Sequence, residues 1–157
     1  MSKVKDKQLK HFIIESLSVL IGGFFGCNFR YILSVWIHPR FLPYQNNHNI
    51  FYFPFAILII NIIGSFLIGF LSVCLVYIKK RNRNTTSMYI YEPLILVGLI
   101  GGFTTVSSYI LDSITLFISG YYWLASFNIL ISIFLGFIFC LFGIVIGEYI
   151  IKTTRSL

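Results

Sequence analysis

The sequence predicts an all-α membrane protein with four transmembrane helices. Three observations carry that prediction. The chain is 57% hydrophobic and only 11% charged, with a mean hydropathy of +0.86, where a soluble domain is about 25% charged. Four long apolar runs are separated by short polar breaks. Aromatic residues, among them Tyr31, Trp36, Tyr44, Tyr52, Tyr77, Tyr89, Tyr91, Tyr121, Tyr122 and Trp123, gather at the ends of those runs, where amphipathic rings settle at the membrane–water interface. At 157 residues the chain reads as one membrane domain, 1–157.

The elements follow in order. A polar, basic start (1–11) leads into a first span at about 12–37, and residues 38–50, with two prolines and three asparagines, form a loop. The second span covers about 51–78, and "KKRNRNTTSMYIYEP" interrupts the apolar run. The third span lies at about 94–118, a short turn with Gly120 follows, and the fourth occupies about 123–151. Each run reaches the roughly 20 apolar residues that a spanning helix needs. The first is too long for a signal-peptide core and has no small-residue cleavage site. Cys27, Cys74 and Cys140 all sit inside apolar runs without metal-ligand spacing and read as small packing residues.

Small and polar residues recur every three or four positions. The fourth span has Asn128, Ser132, Gly136, Cys140, Gly143 and Gly147, the second Asn61, Ser65, Gly69 and Ser72, and the first Ser18, Gly22 and Gly26. That spacing places each set on one helix face. Small faces let helix backbones approach closely in lipid. The glycines read as packing seams. The asparagines ask for more, because a buried amide needs a hydrogen-bonded neighbour or a polar ligand.

Ten of the twelve basic residues, Lys3, Lys5, Lys7, Lys10, Lys79, Lys80, Arg81, Arg83, Lys152 and Arg155, fall on the termini and the second loop; Arg40 is in the first loop and Arg30 near the far end of the first span. Four spans put the termini and second loop on one side, which the positive-inside rule makes cytoplasmic. Scattered over ends and a short loop, these charges do not form a nucleic-acid surface. Among the acids, Glu15 and Glu148 lie near span ends, which leaves Asp112 as the intramembrane carboxylate to consider, with a functional role and simple water contact as equal readings.

The stretch "GLIGGFTTVSSYILDS", Gly98 to Ser113, stands out as glycine- and hydroxyl-rich within the third span. Gly101 and Gly102 before Thr104 and Thr105 favour a break in the helix. Backbone groups freed by a break must line a cavity, bind an ion or meet a neighbouring chain. Free carbonyls suit a hard cation such as Na⁺; hydroxyls and amides suit an anion. With no cofactor motif present, transport is favoured over catalysis.

Three segments, "GGFFGCNFRY" (Gly22–Tyr31), "NIIGSFLIGF" (Asn61–Phe70) and "GGFTTVSSY" (Gly101–Tyr109), together with "NILISIFLG" (Asn128–Gly136), resemble the signature segments of the Fluc/CrcB family of fluoride channels. The resemblance covers essentially the whole membrane part, in order and spacing. It implies an antiparallel, dual-topology dimer in the cytoplasmic membrane, with two fluoride pores along the subunit interface. It implies a structural Na⁺ at the centre, held by the backbone carbonyls of Gly101 and Thr104. It places Asn61, Ser107, Ser108, Tyr109, Asn128 and Ser132 along the pore. Two phenylalanines usual in the third motif are Val106 and Tyr109 here, a usual threonine is Ile57 with Ala56 before it, and a usual glutamate is Asp112. Valine offers no ring edge to an anion, whereas tyrosine keeps one.

The expected function is passive fluoride export. A second reading makes the chain a structural subunit that conducts only beside another family member. A small antiparallel drug/proton antiporter is a third, but such transporters need a carboxylate in mid-span, and Glu15 stands too near the start of its own.

Overall fold

The computed structural model describes residues 2–41, 53–81 and 90–156. All regular structure among them is helical: α1 (Ser2–Phe41), α2 (Phe55–Arg81), α3 (Pro93–Ile100, with π-helical hydrogen bonding), a single turn α4 (Gly101–Phe103), α5 (Val106–Ile118) and α6 (Tyr122–Ser156). Four stretches are long and apolar enough to cross a membrane: Gln8–Ile37, Phe55–Arg81, Ile90–Ile118 and Tyr122–Thr154. The expected first loop beyond residue 41 and most of the second, 82–89, lie outside the described residues, as do Tyr44, Tyr52 and Tyr89.

Several helices outrun their apolar cores. α1 has 40 residues and α6 has 35, about 60 and 52 Å at 1.5 Å per residue, against a hydrocarbon thickness of about 30 Å. The basic start, expected as a separate polar segment, is the first turns of α1, and the expected C-terminal tail is helical to Ser156. Lysine and glutamine are good helix formers, so at the start of α1 helical hydrogen bonding reaches beyond the apolar residues. Between α5 and α6 the turn rests on Gly120, whose φ of +85° only glycine adopts without strain. The amides of Gly120 and Tyr121 donate back to the carbonyls of Phe117 (3.0 Å) and Leu116 (2.9 Å) and close the helix. Across the second loop, Lys79 pairs with Glu92 at 2.7 Å; both are about half exposed, so the pair contributes little to stability.

Two glycine seams hold the bundle. A Cβ on Gly69 would overlap the Cys140 carbonyl, and one on Gly143 the Phe66 carbonyl, so α2 and α6 touch backbone to backbone. A Cβ on Gly22 would meet the Leu94 carbonyl, one on Gly26 the Leu99 carbonyl, and one on Gly98 would lie 2.7 Å from the Val19 carbonyl. That second seam joins α1 to α3. Gly69 and Gly143 on the second and fourth spans, and Gly22 and Gly26 on the first, are therefore close-packed contact points, as anticipated for the glycines.

The third span is one joined, bent element. The chain passes through α3 and α4, takes two extended residues, Thr104 (φ −81°, ψ 154°) and Thr105 (φ −149°, ψ 123°), and resumes as α5. Gly64 makes room for the bend: a Cβ there would overlap the Thr104 side chain.

Candidate functional site

The bend forms one wall of a groove of about 330 Å³. α2 supplies Asn61, Gly64 and Ser65, the bend Thr104 and Thr105, α5 Val106 and Tyr109, and α6 Ser132, Gly136 and Phe137. Val106 and Phe137 at the rim are 64% and 65% exposed, so the groove opens on the outer surface of the single chain. A larger hollow of about 530 Å³ between α1, α2 and α3 is lined by aliphatic and aromatic side chains such as Phe29, Leu33, Leu67 and Phe103 and offers an ion little.

Asn61 faces the bend. Its Nδ2 donates to the Thr105 carbonyl at 2.9 Å, and the Thr105 amide donates to its Oδ1 at 2.9 Å. Thr105 also caps α5, accepting at Oγ1 from the Ser108 amide at 3.2 Å. The same hydroxyl lies 3.1 Å from Ser107 Oγ and 3.1 Å from Ser108 Oγ. In a continuous helix the Thr105 amide would return to the Gly101 carbonyl and the Ser108 amide to the Thr104 carbonyl. Here both amides are used elsewhere, and Gly101 is exposed. The two carbonyls thus fit the donor set of a hard cation, which binds to oxygen alone.

The remaining polar residues divide. Ser132 is 8% exposed and lines the groove, and its Oγ is buried with no hydrogen-bond partner among the described residues. Tyr109 also lines the groove. Asn128 does not; it is 1% exposed, and its amide donates to Ser113 Oγ at 2.8 Å and toward the Tyr109 carbonyl at 3.4 Å. Ser113 Oγ donates in turn to the Tyr109 carbonyl at 2.7 Å. This sealed cluster ties α5 to α6 one turn beyond the groove. Ser107 is exposed and Ser108 half-buried, and both gather on the Thr105 cap rather than along the groove wall. Arg30 reaches across from α1, its Nη1 3.5 Å from Ser108 Oγ, at the outer limit of a hydrogen bond. Asp112, half-buried, stands one turn further along α5.

Thr105, Ser65 and Arg30 belong to this neighbourhood although the sequence reading assigns them no site role. Thr105 is legible as a threonine just ahead of the resumed helix, an N-cap residue type. Ser65 shares the stripe of Asn61. Arg30 carries no local signal.

Chemically, the groove joins hydroxyl and amide donors to the N-terminal end of a 13-residue helix, which carries positive partial charge, with a guanidinium behind it. That favours an anion, beside carbonyls that favour a cation. A helical bundle of four spans with such a groove at a bend defines a multi-pass membrane protein. A family model described as CrcB-like protein, Camphor Resistance (CrcB), matches residues 17–144. The chain is 37% identical over 143 residues to a fluoride-specific ion channel FluC of Parabacteroides distasonis, spanning 91% of this chain and 100% of that relative. It is 36% identical over 145 residues to a protein of the same name from Ruminiclostridium cellulolyticum, spanning 92% and 98%, and 34% identical over 131 residues to one from Hydrogenobaculum, spanning 83% and 95%. The chain belongs to the CrcB family.

Proposed function

We propose that the chain is a subunit of a fluoride channel that lets fluoride leave the cytoplasm passively. One observation carries this reading most directly: the buried, unmatched Ser132 hydroxyl opens on a groove of donors, in a protein whose relatives are named fluoride-specific channels. Fluoride is small and strongly hydrated, so a path through lipid must replace its water with O–H and N–H donors. Asn61, Ser132 and Tyr109 line that path, with Ser107 and Ser108 at its α5 end and Asn128 supporting it from the α5–α6 cluster. The groove lies on the surface of one chain, where lipid cannot satisfy open hydroxyls and carbonyls. A second subunit, inserted antiparallel, closes it. Gly101 and Thr104 then supply carbonyls to a Na⁺ between the subunits, which would fix the two bends against each other. We assign the protein to the cytoplasmic membrane with both termini inside, from the ten basic residues on one side. Because the path is passive, the inside-negative potential drives fluoride out. The test is fluoride efflux from liposomes containing only this chain, where a trace indistinguishable from protein-free liposomes removes the self-sufficient channel.

The same basic residues favour a second reading, that the chain conducts beside an oppositely oriented family member. A bias of ten to one between the two sides, or ten to two with Arg30 counted outside, orients nearly every copy alike, and two like-oriented copies do not form an antiparallel pair. Such a partner would also bring the ring edges absent at Val106. Cysteine labelling of one tagged terminus in intact cells decides: copies divided about equally between orientations exclude the obligatory heterodimer.

A further inference from the structure

The sequence leaves Asn61 either a hydrogen-bonded neighbour or a polar ligand, and its carboxamide is engaged on both sides by a single residue. Nδ2 holds the Thr105 carbonyl and Oδ1 receives the Thr105 amide, each at 2.9 Å. This is the paired exchange that a residue in an extended strand makes with its neighbour, with a side chain standing in for the second strand. Thr104 and Thr105 are extended, and extended backbone inside a membrane needs outside partners for its N–H and C=O groups. Asn61 supplies the acceptor that the Thr105 amide lacks and adds a donor to a carbonyl that, at the N-cap of α5, takes the first helical bond.

The geometry points to Asn61 as the positioning residue of the bend. By keeping Thr105 extended it withdraws the Thr105 amide from the Gly101 carbonyl. It also sets the Thr105 hydroxyl where it caps α5 at Ser108, which withdraws a second amide from the Thr104 carbonyl. The two freed carbonyls both depend on this one side chain. A carboxamide fills this role without a titrating proton, whereas an ionised aspartate accepts from the amide but cannot donate to the carbonyl, and alanine does neither. One Nδ2 hydrogen remains for a ligand, so the two roles coexist. Its consequence for conduction rests on the proposed channel reading, but the backbone role does not.

The experiment is amide hydrogen exchange by NMR on the full chain in lipid nanodiscs, with the Thr105 carbonyl stretch followed by isotope-edited infrared spectroscopy and fluoride efflux measured in parallel. Asn61→Ala is expected to lower protection of the Thr105 amide about tenfold or more while leaving the α2–α6 seam around Phe66 and Phe70 unchanged. Asn61→Asp, followed to alkaline pH until its own carboxylate infrared band shows it ionised, is expected to keep the Thr105 amide protected but to move its carbonyl stretch upward, as Asn61→Ala does. That split separates a two-sided backbone clamp from a general packing role. Unchanged Thr105 protection in Asn61→Ala overturns the assignment, as does a loss shared equally by the seam. If Asn61→Ala does not fold, Asn61→Leu, which neither donates nor accepts, decides in its place, and a carbonyl stretch unchanged from wild type refutes the clamp. A wild-type chain that carries no fluoride but shows the expected exchange pattern would remove the self-sufficient channel and leave the clamp standing.

Discussion

Ser132→Ala separates a ligand-facing hydroxyl from a structural one. Ser132 is 8% exposed, and its Oγ makes no hydrogen bond among the described residues. Removing it takes no protein–protein hydrogen bond away. An unmatched buried hydroxyl costs about 1–3 kcal/mol of desolvation, so its loss should leave stability unchanged or raise it by up to about 1 kcal/mol. The effect on a permeating anion has the opposite sign. A hydrogen bond to a charged partner is worth about 1.5–3 kcal/mol, and each 1.4 kcal/mol is about tenfold in an equilibrium. Fluoride efflux should therefore fall about ten- to a hundredfold, with an unchanged or slightly higher thermal midpoint. The assay is fluoride-electrode recording of efflux from liposomes, run with a conducting preparation (this chain alone, or this chain with its partner), beside a melting curve in detergent. A variant with normal efflux, or one that melts well below wild type, would refute the placement of this hydroxyl in the ion path.

Asn128→Leu should behave in the reverse manner. Its amide is bonded to Ser113 and directed at the Tyr109 carbonyl, so the loss should lower stability by about 1–3 kcal/mol, visible as an earlier thermal transition before any effect on ion path chemistry. Gly143→Val should prevent correct folding, because a side chain there meets the Phe66 carbonyl and the Phe70 amide, backbone atoms that cannot step aside; size-exclusion profiles should show aggregate in place of a sharp peak. Gly101→Leu should leave one chain folded, since the nearest atom to a Cβ there is the Leu96 carbonyl at 3.8 Å, but should prevent subunit pairing if Gly101 faces a partner. Cross-linking in membranes at the wild-type level would count against that face.

The bundle is readable from the sequence because its main determinants are periodic and local. Apolar run length marks spans, and the three- and four-residue spacing of Gly22 and Gly26, Gly69, Gly143 and Gly147 marks the seams. The site is less readable because spacing tells which face a residue occupies and not what lies opposite. Asn128 and Ser132 share a stripe, yet one is sealed against Ser113 and the other opens on the groove. Asn61 shows the same limit: its partner is 44 residues away in the chain, and no local pattern pairs them. Ser107 and Ser108 belong to the right motif, but both of their hydroxyls gather on the Thr105 hydroxyl. The start of α1 extends past its apolar residues because its lysines and glutamine are good helix formers whatever their hydropathy.

The divided stripe on α6 has a geometric cause. At Gly69 against Cys140, and at Gly143 against Phe66, α2 and α6 touch through their backbones. One turn nearer the groove a Cβ on Gly136 would stand 3.3 Å from Ser65 Oγ, so a small side chain already fits between the helices there. At Asn61 and Ser132, a further turn along, both helices line the groove together with Thr104 and Thr105. The helices thus part from a tight seam at one end of the stripe to an opening at the other, and the bend of the third span enters that opening. Small residues serve packing where the helices meet, and polar ones become available where they part. A regular α-helix in the opening would bond its own amides and carbonyls and leave Asn61 with neither partner. The bend and the groove therefore have one origin: an extended pair of threonines supplies Asn61 with partners, and the amides it withdraws are what leave carbonyls free beside the groove.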